Sequence, residues 1–211
     1  MALHTTISKG YLKVARQCVL VLATLLIAGT SAFPQATDPA NEVARLFLAA
    51  KTAQEEGKYD DAILAYRQVV ALSKDSPKNS ALAYFNAGII YLRFQKYAEA
   101  ANAFQQSILL DPNSAESHNN LGESLAFQKK FPQAIAAFQR ANQLDKNLLI
   151  AQFNMGLTYT RMGQLKYAEF VFKVLVRDHP DYALGYDGMA VTLSKSGRTS
   201  EAIPLHERPS V

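Results

Sequence analysis

The chain has 211 residues, 49% of them hydrophobic, with 22 basic and 18 acidic side chains, four histidines and one cysteine. Three of the basic residues, Lys9, Lys13 and Arg16, and no acidic residue fall within residues 1–32, leaving 19 basic against 18 acidic in the remainder. So even a balance excludes the basic footprint of a nucleic-acid binder, and the lone Cys18 excludes a disulfide framework or a sulfur metal site.

The first segment reads as an export signal. The basic residues above precede an apolar run from Cys18 to Ala28, and Thr30-Ser31-Ala32 supplies the small residues a signal peptidase prefers. The run is short for a membrane span, so a cleaved leader over 1–32 is the expected reading and a membrane anchor the alternative. A lipid-modified Cys18 does not fit, because that residue opens the apolar run instead of closing it. Residues 33–42 read as a linker, and the expected location is periplasmic or secreted.

From residue 43 onward one pattern recurs. Ala50, Gly88, Gly122, Gly156 and Ala190 are separated by 38, 34, 34 and 34 residues, and so are Ala62, Ala100, Ala134, Ala168 and Ala202. Tyr66, Phe104, Phe138 and Phe172 follow with gaps of 38, 34 and 34. Each unit predicts two helices joined by a short turn. Small residues sit where the helices cross, because a larger side chain would push their axes apart. The units are 43–76, 81–114, 115–148 and 149–182, then a partial fifth over 183–203. Residues 77–80 are expected to be a loop insertion and 204–211 an irregular tail. A period of this length means a solenoid, an architecture that holds other macromolecules more often than it performs chemistry.

The spacing over residues 43–203 resembles the tetratricopeptide repeat, in residues such as Leu121-Gly122, Leu125, Ala134, Phe138 and Pro112. That resemblance implies an all-α, right-handed solenoid of antiparallel helix pairs, with four full repeats and a truncated fifth. It also implies that the first helix of each pair lines a concave groove that takes up a peptide or a partner's helix.

No residues assemble an enzyme. His4, His118, His179 and His206 have no metal-ligand spacing. His118 stands where Tyr84 stands one unit earlier and reads as a packing residue. The carboxylates Asp60, Asp61, Glu116, Glu123 and Asp187 are scattered, with no pocket to drive a pair of pKa values apart. No glycine-rich phosphate loop occurs. The expectation is a non-catalytic protein with no cofactor, no metal and no small-molecule substrate.

The informative positions are those that packing does not require. Asn86, Asn120 and Asn154 lie two places before the three repeat glycines, spaced by 34 and 34. A row of amides can hold an extended peptide backbone whatever its sequence; inter-repeat hydrogen bonding is the competing role. On the same helix face fall Leu82, Phe85, Ile89 and Leu92, then Ile150, Phe153 and Leu157. Arg93, Arg161 and Lys195 edge this strip, while Asn119, Glu123 and Asp187 interrupt it. Relatives that clamp a terminal carboxylate use lysines where Phe85 and Phe153 stand and an arginine near Asn154 or Gly188. Their ligand class is therefore not expected, and a hydrophobic or mixed peptide is.

The end of the chain breaks the pattern. Pro204 is expected to stop the last helix, leaving part of the stripe Tyr186, Met189 and Leu193 uncovered. That predicts self-association through the last repeat or a truncated member of a longer array. The expected function is an exported scaffold or adaptor that holds a protein or peptide. A structural spacer and a docking fragment of a larger enzyme are the alternatives.

Overall fold

The computed structural model describes residues 38–206, and the leader expected over 1–32 and the tail beyond residue 206 lie outside them. The described residues form ten α-helices and no strand. They are α1 (Pro39–Glu55), α2 (Tyr59–Leu72), α3 (Pro77–Arg93), α4 (Tyr97–Leu110) and α5 (Ala115–Phe127). Then come α6 (Phe131–Leu144), α7 (Leu149–Arg161), α8 (Leu165–Asp178), α9 (Ala183–Lys195) and α10 (Thr199–His206). None of the described helices is long and apolar enough to cross a membrane. From α3 onward each odd-numbered helix pairs with the next, α1 meets α2 through Phe47 and Tyr66, and each even-numbered helix packs on the odd one after it, giving an α-solenoid.

The crossing inside each pair is set by glycine and phenylalanine. Phe104, Phe138 and Phe172 are almost wholly buried, one on each of α4, α6 and α8. They lie against Gly88, Gly122 and Gly156, where an added methyl would come within 2.7, 2.7 and 2.5 Å of the ring. The alanines of the second register, Ala62, Ala100, Ala134 and Ala168, are fully buried at the same crossings. Burial of these rings stabilises their layers, because a solenoid repeat contacts only its neighbours and each layer must supply its own core.

The turn within each pair carries a second periodic device. Gly57, Gln95, Lys129, Gly163 and Gly197 all have positive φ, between 57° and 80°, at the same place after the first helix. Each ends its helix with a left-handed residue and sends the chain back antiparallel. Two units make this turn without glycine.

Three expectations about boundaries need correction. Residues 77–80 are not a loop: they form the first turn of α3, which has 17 residues where α5, α7 and α9 have 13. Pro77 fits there because the first turn has no intrahelical use for its missing N–H, and the buried Ser80 hydroxyl donates to the Ser73 carbonyl at 3.3 Å. The linker expected to run to residue 42 gives way to α1 at Pro39. At the other end α10 continues past Pro204 to His206. Proline removes only one backbone bond in this short helix, where two residues, Leu205 and His206, follow it.

The last pair is also better covered than the sequence suggests. Leu193 is 1% exposed, packed with Ala190 and Ala202, and Met189 is half-buried against them. The first turn of α10 is enough to cover this part of α9. An ion-pair cluster fastens it: Arg198 reaches Glu169 of α8 at 2.8 Å and Glu201 at 2.6 Å, and Lys173 reaches Glu169 at 2.6 Å.

Candidate functional site

The odd-numbered helices form the face on which the candidate residues lie. Successive first helices touch directly, α3 with α5, α5 with α7 and α7 with α9. Because the units are in strict register here, residues 34 apart stand side by side on neighbouring helices. One such row is Ile89, Glu123, Leu157 and Val191; another is Leu82, Glu116, Ile150 and Leu184.

Large apolar side chains in these rows stay in contact with water. Leu82 is 49% exposed, Ile89 38%, Leu184 44% and Val191 40%. Ile150, Phe153, Leu157, Phe85 and Leu92 are half-buried. The Phe85 ring meets Phe104 edge-on at 5.8 Å between centroids, and Phe153 meets Phe172 at 6.0 Å. These two rings therefore close the core from above while remaining partly accessible, and they are not sealed inside. A cleft of about 330 Å³ opens beside Leu82 and Phe85, between α3 and the start of α5, with Ser117 at its base and Lys78, Asp111 and Glu116 around it.

The three asparagines are half-buried, and Asn154 is bonded to the preceding repeat. Asn154 donates to the Asn119 side-chain oxygen at 3.2 Å, and Asn119, which is buried, donates to Asn120 at 3.2 Å. The Tyr66 hydroxyl of the preceding unit donates to Gln54 at 2.7 Å; burial raises its pKa and the Asn86 amide opposes that rise. Asn154 thus links one layer to the next through Asn119, and each of the three amides keeps capacity for a further bond.

The arginines are held on aromatic rings. Arg93 lies 5.0 Å from the centroid of Tyr59, and Arg161 lies 5.0 Å from that of Phe127. Phe127 is itself stacked on Tyr97 at 4.6 Å with 7° between planes. Sequence reasoning missed Phe127 and Tyr97, although a signal existed: Phe127 occupies the register position of Arg93 and Arg161, 34 residues from each. It also gave Glu123 only the part of an interruption. That carboxyl is half-buried, and burial raises its pKa while Arg161 pulls it back.

His118 is half-buried, with Nε2 3.2 Å from the Pro112 carbonyl oxygen, and burial lowers its pKa. No three His, Cys, Asp or Glu residues cluster as metal ligands among the described residues.

Known proteins agree with this geometry. Profiles of the tetratricopeptide repeat match residues 47–107, 85–147 and 150–182. A crystal structure of MamA superposes with a TM-score of 0.68 at 23% identity, over 80% of this chain and 90% of that one. YrrB, described as a TPR protein with an unusual peptide-binding site, superposes with a TM-score of 0.62 at 23% identity, over 83% and 89%. No curated protein matches the sequence. In register, helix pairing and glycine–aromatic crossings, this chain belongs to the tetratricopeptide repeat family.

Proposed function

We propose that the protein is an exported, non-catalytic scaffold that holds a segment of another protein against its first helices, in the groove that repeats of this family form. The observation that carries the reading is the set of water-exposed apolar side chains in two rows, Leu82 and Leu184 in one and Ile89 and Val191 in the other, with half-buried Phe85, Phe153 and Leu157 on the same helices. Apolar side chains repeated along one face, with polar side chains at the edge, are what a partner surface requires. The cleft beside Leu82 and Phe85 has room for one aliphatic or aromatic side chain of the occupant.

Main-chain recognition falls to Asn86, Asn120 and Asn154, which lie on the same helices as the strip and keep donor and acceptor capacity. Arg93 and Arg161 mark its edge. The likeness to YrrB, which has a peptide-binding site by its own description, supports the same use. Export rests on the basic, then apolar, then small-residue order of residues 1–32.

The test is Leu82→Glu with Ile89→Glu, both at exposed positions. Capture of partners from the envelope fraction of the source cells should be lost while helicity by circular dichroism is retained. Unchanged capture removes the groove reading. N-terminal sequencing of the exported protein should begin at Phe33; a start at Met1 removes the cleaved leader.

A further inference from the structure

The Ile89–Glu123–Leu157 row places one carboxylate between two apolar side chains, on three successive first helices. Glu123 is half-buried. No hydrogen bond or ion pair with a described residue holds its carboxylate, yet its oxygens are not sealed from solvent. Arg161 acts on it by charge at longer range and is itself stacked on Phe127.

An occupant covering this row would strip the water from Glu123. An all-apolar segment would leave the carboxylate buried and without a hydrogen-bonding partner, which is strongly unfavourable for an ion. A segment that brings its own ammonium or guanidinium replaces the lost water with a charge-assisted hydrogen bond. The position therefore rejects one class of ligand as strongly as it accepts the other.

We infer that Glu123 selects occupants carrying a lysine or arginine flanked by apolar side chains, the cation seated on Glu123 and the apolar groups on Ile89 and Leu157. This rests on the proposal that the first-helix face holds a peptide. Neighbouring helices pack about 8–10 Å apart. A segment in polyproline II conformation advances about 9 Å in three residues and presents every third side chain on one face. The matching pattern is an apolar residue, two of any kind, Lys or Arg, two of any kind, and a second apolar residue.

The test is a selection of random nine-residue peptides displayed on phage, run on the full chain and on its Glu123→Lys and Glu123→Gln variants, followed by fluorescence anisotropy of the enriched peptides. The wild-type pool should be rich in a central Lys or Arg with apolar residues on both sides. Replacing that residue by Glu in a selected peptide should weaken binding about tenfold or more. Glu123→Gln, which is nearly isosteric, should lose most of the preference, and Glu123→Lys should enrich acidic residues at the same place. A pool that binds without charge preference, or one unchanged by both substitutions, overturns the inference and leaves the groove standing. No enrichment on any protein overturns the groove and this inference together.

Discussion

The guanidinium of Arg161 lies 5.0 Å from the ring centroid of Phe127, its register equivalent one repeat earlier. Tyr97 stacks on the same ring, so a cation and two aromatic rings tie α4, α5 and α7 together at the edge of the candidate face. The contact also fixes a positive charge within reach of Glu123, whose pKa burial raises and Arg161 lowers.

Arg161→Ala should therefore act in two ways. It removes a cation–π contact worth about 0.5 kcal/mol at an exposed site, and it lets the Glu123 pKa rise further. A carboxyl whose folded pKa exceeds its unfolded value binds its proton more tightly in the folded state. Stability then falls as pH rises through that interval and stays lower above it. Urea denaturation should show Arg161→Ala more destabilised relative to wild type at about pH 7 than at about pH 4. Glu123→Gln should abolish the difference. Equal destabilisation at both pH values would show that Arg161 does not act on Glu123.

A methyl on Gly156 would stand 2.5 Å from Phe172 Cζ, inside the fully buried crossing of α7 and α8. Gly156→Ala should cost about 1–3 kcal/mol by overpacking, even though alanine is the better helix former. Combining it with Phe172→Leu should cost less than the sum of the two single substitutions, because the smaller side chain leaves room for the methyl. Additive losses in thermal denaturation would show that the glycine answers to something other than the ring.

Lys129 has φ of 61° at the turn between α5 and α6, where Gly57, Gly163 and Gly197 stand in three other units. A left-handed non-glycine residue costs about 1–2 kcal/mol. Glycine relieves that but has more freedom to lose on folding, by about 0.4–1 kcal/mol. Lys129→Gly should therefore stabilise the protein by roughly 0.5–1 kcal/mol, and Gly163→Ala should destabilise it. A midpoint that falls in Lys129→Gly would mean the lysine side chain contributes more than the backbone strain.

Much of this fold is legible in residue type and spacing. Gly88, Gly122 and Gly156 with Phe104, Phe138 and Phe172 reveal both the helix pairs and the crossing inside each, because close approach demands glycine and the core demands a ring opposite it. Boundaries were less legible. Pro77-Lys78-Asn79-Ser80 has the composition of a loop, and the same proline suits the first turn of a helix equally well. Pro204 reads as a stop, yet a short terminal helix tolerates it.

The candidate site was legible in position but not in state. Spacing alone puts Asn86, Asn120 and Asn154 in one row, and Ile89, Glu123 and Leu157 in another. Whether an asparagine is free or bonded to the next layer depends on groups far off in the chain: Asn154 meets Asn119 at a separation of 35 residues. Tyr97 and Phe127 are 30 residues apart and stack only because two separate helices bring their ends together.

What the sequence determined by itself is the repeat: its period, its small and aromatic packing residues, and the helix face on which unabsorbed side chains fall. Those follow from local periodicity and from contacts each unit repeats with its neighbour. Tertiary structure alone decided how far Phe85 and Phe153 sink toward the core, which amides are spent between layers, and that Glu123 is left half-buried without an ion pair. These are balances of burial against polar satisfaction, set by distances between layers that no single stretch of chain encodes.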